Sequence, residues 1–189
     1  MLNGGLEEAL LQLQPLGGLL HPRVLVASTA LEGWSAVFDG DARGQGVRGL
    51  SVRLARALRV PGYFVAAAPP ALDPEHFPGF RQFYVLGPQT GRDHVRAVWV
   101  GEEEDVGRWH FGTDGEVQPY EDVEAYRRRR HTDRLTERML VDYAAAVGLR
   151  PWEDSFYRPP FHLITSLRLG RDRFQRTLAQ VRTEMKLDE

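Results

Sequence analysis

Four consecutive arginines, Arg127, Arg128, Arg129 and Arg130, with Asp133 and Arg134 just beyond, are the densest cluster of ionic side chains in the sequence. Guanidinium groups stay charged and present a planar fork of donors that suits carboxylates and phosphates. The run can serve an internal network with Asp133, Glu121 or the Glu153–Asp154 pair, an acidic protein partner, or nucleic-acid phosphates, where each contact adds salt-dependent affinity. No aromatic platform or nucleic-acid motif accompanies it, which ranks nucleic acid behind a protein partner. Arginine also supplies 23 of the 24 basic residues, with Lys186 the one lysine, so part of the clustering reflects a general substitution of arginine for lysine.

A second constellation lies at Asp39 and Asp41, flanked by Trp34 and Arg43. Such a carboxylate pair can do acid–base or cation chemistry at a strand end, although Asp residues also simply make turns. Gly44, Gly46 and Gly49 just beyond match G-x-G-x-x-G, the pattern that lets backbone amides hold a phosphate at a helix start. The context for a dinucleotide is missing. Residues 39–43 separate the preceding strand from the first glycine, and no acidic residue ends the next strand.

The six histidines show neither H-x-x-x-H nor H-E-x-x-H spacing; His94 and His110 are the two that a hairpin could bring face to face. No serine sits in a nucleophile elbow. The chain has no cysteine, which excludes disulfides, thiolate metal sites and cysteine nucleophiles and fits a reducing cytoplasm. No metal and no cofactor is therefore implied.

Formal net charge is −2, which gives no global case for nucleic acid or an anionic membrane. The distribution is uneven. Residues 1–126 hold 10 basic and 17 acidic side chains, net −7, and residues 127–189 hold 14 and 9, net +5. No apolar run approaches the roughly 20 residues of a spanning helix. The N-terminal stretch lacks a basic region ahead of its apolar residues, so no secretory signal is expected.

The elements that must position these groups follow from periodicity. Leu6, Ala9, Leu10 and Leu13 share one helical face and mark a short docking helix within residues 1–20. Residues 23–27 and 33–38 read as a hairpin, 47–58 as an amphipathic helix stopped by Pro61 and Gly62, and 63–68 as a buried strand. Residues 81–86, 94–100 and 108–112 read as three more strands. Residues 121–130 form one expected helix. A second, capped by Thr132 or Thr136, buries Leu135, Met139, Leu140, Tyr143 and Val147 and stops at Gly148. Residues 171–186 suit a last helix. The expected architecture is one α+β domain over residues 1–189: a mainly antiparallel sheet of five or six strands, one crossover helix over 47–58, and a helical C-terminal part, 121–189, packed on one face.

The order Trp34 to Asp39, Arg108-Trp109, Phe111, Pro119 to Asp122, Tyr126, Arg129-Arg130, Asp133-Arg134, Thr136, Met139-Leu140, Tyr143, Gly148-Leu149 and Phe156-Tyr157 resembles a family of uncharacterised bacterial proteins of similar length. The resemblance spans roughly residues 24–157 and rests on order and spacing. It implies a single bacterial domain and no assigned activity.

The functional expectation is a non-enzymatic bacterial protein-binding module, immunity- or adaptor-like, using charged surface at Arg127, Arg129, Arg130 and Arg134, with another bacterial protein as partner and no membrane. One alternative is an enzyme or binder of a phosphorylated or anionic small molecule at the 39–46 turn, using Trp34, Asp39 and Arg43. The other is a nucleic-acid binder through the 127–134 arginines.

Overall fold

The computed structural model describes residues 1–17, 23–41, 46–69, 78–88, 92–103, 107–165 and 176–184. The chain divides into two compact units, residues 1–47 with 150–189, and residues 48–149. Both mix helix with antiparallel sheet, so the fold class is α+β.

The first unit is built on a three-stranded sheet in the order β2-β1-β7, with β1 at Arg23–Thr29, β2 at Ser35–Asp39 and β7 at Tyr157–Thr165. The expected hairpin is present: β1 and β2 pair antiparallel with Val26 opposite Val37. On the other side of β1, Ala27 faces Phe161 but Ser28 faces Arg158, so Pro159 and Pro160 are looped out of the ladder. Proline has no N–H to give a ladder, and a bulge on an outer strand is where it is tolerated. Leu25, Ala27 and Phe161 are fully buried. Two short helices, α1 at Leu6–Leu11 and α4 at Leu178–Glu184, belong to this unit. The Gln14 side chain accepts a hydrogen bond from Leu178 N at 2.9 Å, tying the two helical ends together.

The second unit carries a four-stranded sheet, β3-β4-β5-β6, with β3 at Gly62–Ala68, β4 at Phe80–Leu86, β5 at Arg96–Glu102 and β6 at Trp109–Gly115. All pairings are antiparallel. Because side chains alternate along a strand, Phe83, Val98 and Val100 share one face with Tyr63, Val65, Trp109 and Phe111. Helix α3, Glu137–Ala146, lays Met139, Leu140, Tyr143 and Ala144 onto that face. Leu135 and Leu140 are completely buried, each contributing about 2–3 kcal/mol by transfer from water. The cap of α3 is Thr136, whose side chain accepts from Met139 N at 3.2 Å. At the other end Gly148, at φ 82°, lets Leu149 N reach Ala144 O.

On the opposite face Trp99 lies directly over Gly112; a Cβ there would stand 2.2 Å from the indole. Helix α2, Gly46–Leu58, contributes the buried Ala55, which approaches Gly62 at the start of β3.

Several expectations need correction. Among the described residues there is no single sheet of five or six strands: β7, inside the segment expected to be helical (121–189), joins β1 and gives the first unit its own sheet. Helix α2 consequently links strands of different sheets and is not a crossover. Only α3 of the C-terminal helices lies on the four-stranded sheet, since α4 belongs to the first unit. Residues 171–175 and 185–186 of the last expected helix lie outside the described residues; Arg176 and Thr177 are not helical, and the helix covers Leu178–Glu184.

Candidate functional site

The arginine run does not form an α-helix. Ala125–Arg127 and His131–Asp133 are single 3₁₀ turns, and Arg128 and Arg130 between them are extended, with ψ of 149° and 130°. Tertiary bonds outcompete helical propensity here. Asp122 accepts Ala125 N at 3.2 Å on its side chain, and the Arg128 carbonyl is claimed by Arg134 Nε at 2.7 Å.

Guanidinium groups hold the main chain of this segment to the sheet. Arg81, from β4, donates Nε to Leu135 O at 2.7 Å and Nη2 to Thr132 O at 3.2 Å, while its guanidinium sits 5.2 Å from the centre of the Trp109 ring. Burial lowers the Arg81 pKa, and Glu137 and Asp133 oppose that shift. Arg134 lies 5.6 Å over Phe111 as it grips Arg128 O. Arg128 closes the loop by donating Nη1 to Asp133 O at 3.0 Å. His131 Nδ1 bonds the Trp109 carbonyl, which requires that nitrogen to carry the proton.

What remains outward is a short cationic surface. Among the described residues Arg127 meets only Glu124, at 3.1 Å, and both side chains are more than two-thirds exposed, so solvent screens the pair almost completely. Arg129 and Arg130 are exposed, and their side chains have no hydrogen bond, ion pair or ring contact among the described residues. Two of the carboxylates expected to meet the run are used elsewhere. Glu121 is taken by Arg96, Glu153 lies 3.7 Å from Arg150, and Asp133 offers Arg128 its carbonyl oxygen. Of the anticipated site residues, Arg127, Arg129 and Arg130 are on the surface, whereas Arg134 is a support that braces the main chain.

Behind that surface lies a buried polar network that the sequence reading does not anticipate. Arg96 donates Nε and Nη2 to the two oxygens of Glu121 at 2.9 and 2.6 Å, and Nη1 to Gly115 O at 2.9 Å. The side chains of Arg96 and Glu121 are 3% and 1% exposed. Glu121 also accepts Gln118 N and the Tyr126 hydroxyl, and Tyr126 bonds Tyr143, which accepts Asp122 N. Burial, then Tyr143 and Glu121, push the Tyr126 phenol far above its ordinary pKa. Burial also raises Tyr143. Phenols so held stay neutral at any physiological pH, so the network positions rather than transfers protons. Strand alternation gives a weak signal for it, because Arg96 shares its face with Val98 and Val100.

The second constellation belongs to the first unit. Asp39 ends β2 and accepts Asp41 N at 3.3 Å. Burial, reinforced by the Asp41 charge, raises its pKa to about 6. Trp34 stands at the other end of β2, about 17 Å away at ~3.4 Å per residue, so it does not flank the carboxylates. Arg43, Gly44 and Gln45 lie outside the described residues, and Gly46 and Gly49 fall within α2.

His94 and His110 do not face one another, for His110 is paired in register with Gly101. His94 Nε2 meets Asp114 at 2.9 Å, and His110 meets Glu103 at 2.9 Å. Among the described residues no group of three or more His, Asp or Glu side chains is arranged to hold a metal ion. No helix among them is long and apolar enough to cross a membrane. Comparison with protein-family models, curated proteins and solved structures found no match.

Proposed function

We propose that the protein is a non-enzymatic binding module that recognises an acidic surface of another bacterial protein through Arg129 and Arg130, with Arg127 as an auxiliary contact. The observation that carries this reading is the division of labour among the arginines on and around this segment. Arg81, Arg128 and Arg134 spend donors on main-chain carbonyls, whereas Arg129 and Arg130 are exposed with no side-chain partner among the described residues. A braced backbone lowers the ordering cost that long cationic side chains bring to an interface. Arginine is also enriched among residues that dominate binding energy.

The 39–46 turn is a weaker site for an anion, because Asp39 and Asp41 place two acidic groups there. Nucleic-acid binding would use the same arginines as the preferred reading, so the test must separate the two. Fluorescence anisotropy at low salt with a glutamate-rich peptide, a short DNA duplex and a short single-stranded RNA does so. The expected result is salt-sensitive peptide binding that is lost in Arg129→Ala/Arg130→Ala, with weaker nucleic-acid binding. Equal peptide binding by wild type and variant overturns the reading, and preference for either nucleic acid transfers it to the rival.

A further inference from the structure

We infer that His110 and His131 together form a site for a divalent first-row transition ion, with copper(II) preferred. This goes beyond the binding reading and holds with or without it.

His110 lies on β6, and His131 opens the 3₁₀ turn that follows the arginine run. The fold brings His110 against His131 rather than His94, with the two ring centres 6.2 Å apart and the planes inclined at 42°. Each imidazole has one nitrogen already committed. His131 Nδ1 donates to the Trp109 carbonyl, and His110 Nε2 lies 2.9 Å from an oxygen of the Glu103 carboxylate, which can only accept. In the neutral rings the lone pairs therefore fall on His131 Nε2 and His110 Nδ1. Neither of these nitrogens has a hydrogen-bond partner among the described residues. A main-chain carbonyl or a carboxylate on the far nitrogen is the arrangement found behind metal-bound imidazoles, because it fixes the tautomer and makes the free nitrogen more basic.

The spacing is that of two imidazoles on one ion. With metal–nitrogen bonds of about 2.0–2.1 Å, two ring centres stand about 5 Å apart at a tetrahedral angle and about 6.4 Å apart when the nitrogens oppose one another. The observed 6.2 Å lies near the second limit, which suits the tetragonal geometry of copper(II) or nickel(II), and copper(II) heads the affinity order for nitrogen donors. Glu103 supplies a negative charge that offsets Arg130, the residue before His131. Four protein ligands close a structural metal site; two imidazoles leave positions for water, and the side chains of His110 and Glu103 are more than half exposed, so the ion is exchangeable.

Titration of the untagged full chain with copper(II), nickel(II) and zinc(II) salts, followed by calorimetry, tests the inference. The expected result is one equivalent of copper(II) bound more tightly than the other two ions, with an electron paramagnetic resonance spectrum showing nitrogen coordination. His110→Ala is expected to weaken copper(II) binding about tenfold or more, a loss usual even for groups that only brace a metal ligand, with an unchanged thermal melt of the metal-free chain. His131→Ala is expected to weaken it as much and to lower the melt as well, since it also removes the bond to the Trp109 carbonyl. His94→Ala, outside the pair, is expected to bind as wild type does. Absence of binding by all three ions at submillimolar concentration, or copper(II) binding that His110→Ala leaves intact, overturns the inference.

Discussion

Arg96 and Glu121 meet through two parallel hydrogen bonds, 2.9 and 2.6 Å long, in a site where both side chains are shut off from water. The pair joins β5 to the start of the segment that carries the arginine run. Glu121 further accepts a main-chain N–H and a phenol, and Arg96 donates to the Gly115 carbonyl, so the ion pair is well supplied with hydrogen bonds.

Removing one partner leaves a buried charge uncompensated. Arg96→Met or Glu121→Leu alone is expected to cost about 3–5 kcal/mol, read as a fall in the urea midpoint. The double variant Arg96→Met/Glu121→Leu recovers much of that loss, because the desolvation of both charges disappears together. A double variant as unstable as the sum of the singles contradicts this account.

The arginines of the run separate into two classes by stability. Arg129→Ala and Arg130→Ala are expected to change unfolding free energy by less than about 0.5 kcal/mol, as surface substitutions do. Arg81→Ala removes two charge-assisted bonds to carbonyls and the contact with Trp109, and is expected to cost about 2–3 kcal/mol. Thermal melts of the three variants check the ranking.

Helix α2 ends on an unfavourable residue. Arg59 takes φ 55°, while Arg59 N bonds Arg56 O and Val60 N bonds Ala55 O, the paired bonds of a left-handed helix stop. Glycine adopts that conformation without a Cβ penalty. Arg59→Gly is expected to stabilise the protein by about 0.5–1 kcal/mol, measured by chemical denaturation.

Asp39 links folding to pH. Its pKa rises from 3.8 to about 6 on folding, chiefly through burial, so the native state binds the proton more tightly than the unfolded one. Its favourable contribution is complete below the unfolded value and is lost as pH rises through the folded one. The shift corresponds to about 3 kcal/mol at most, reduced by solvent screening of a half-buried group. Asp39→Asn is expected to be more stable than wild type at pH 8 and to lose that advantage near pH 4. Parallel denaturation curves across that range check it.

Much of the local structure is legible in the sequence. The β1–β2 hairpin, α2, the four strands of the second sheet and the Thr136-capped α3 follow from apolar period, caps and glycines. What escapes is decided by distant partners. Nothing within residues 121–130 discloses that Arg134 will take the Arg128 carbonyl and Arg81 the carbonyls of Thr132 and Leu135, so four arginines read as helical. The tandem Pro159-Pro160 hides β7, because a strand that steps two residues out of its ladder has no alternating pattern at that point. For the candidate site, the run itself is visible and the sorting of its members is not. That sorting depends on Arg81 and Arg96, which are 46 and 31 residues from Arg127 in sequence. Trp34 and Asp39 are neighbours on paper, yet the extended strand between them carries one away from the other.

The step at Pro159 and Pro160 bears on colloidal behaviour. With two adjacent amide hydrogens absent and Leu2 lying along the same margin, an incoming polypeptide finds no continuous template there. The first unit thereby resists the edge-to-edge growth that drives fibrils, and crowding should not string copies together along this side.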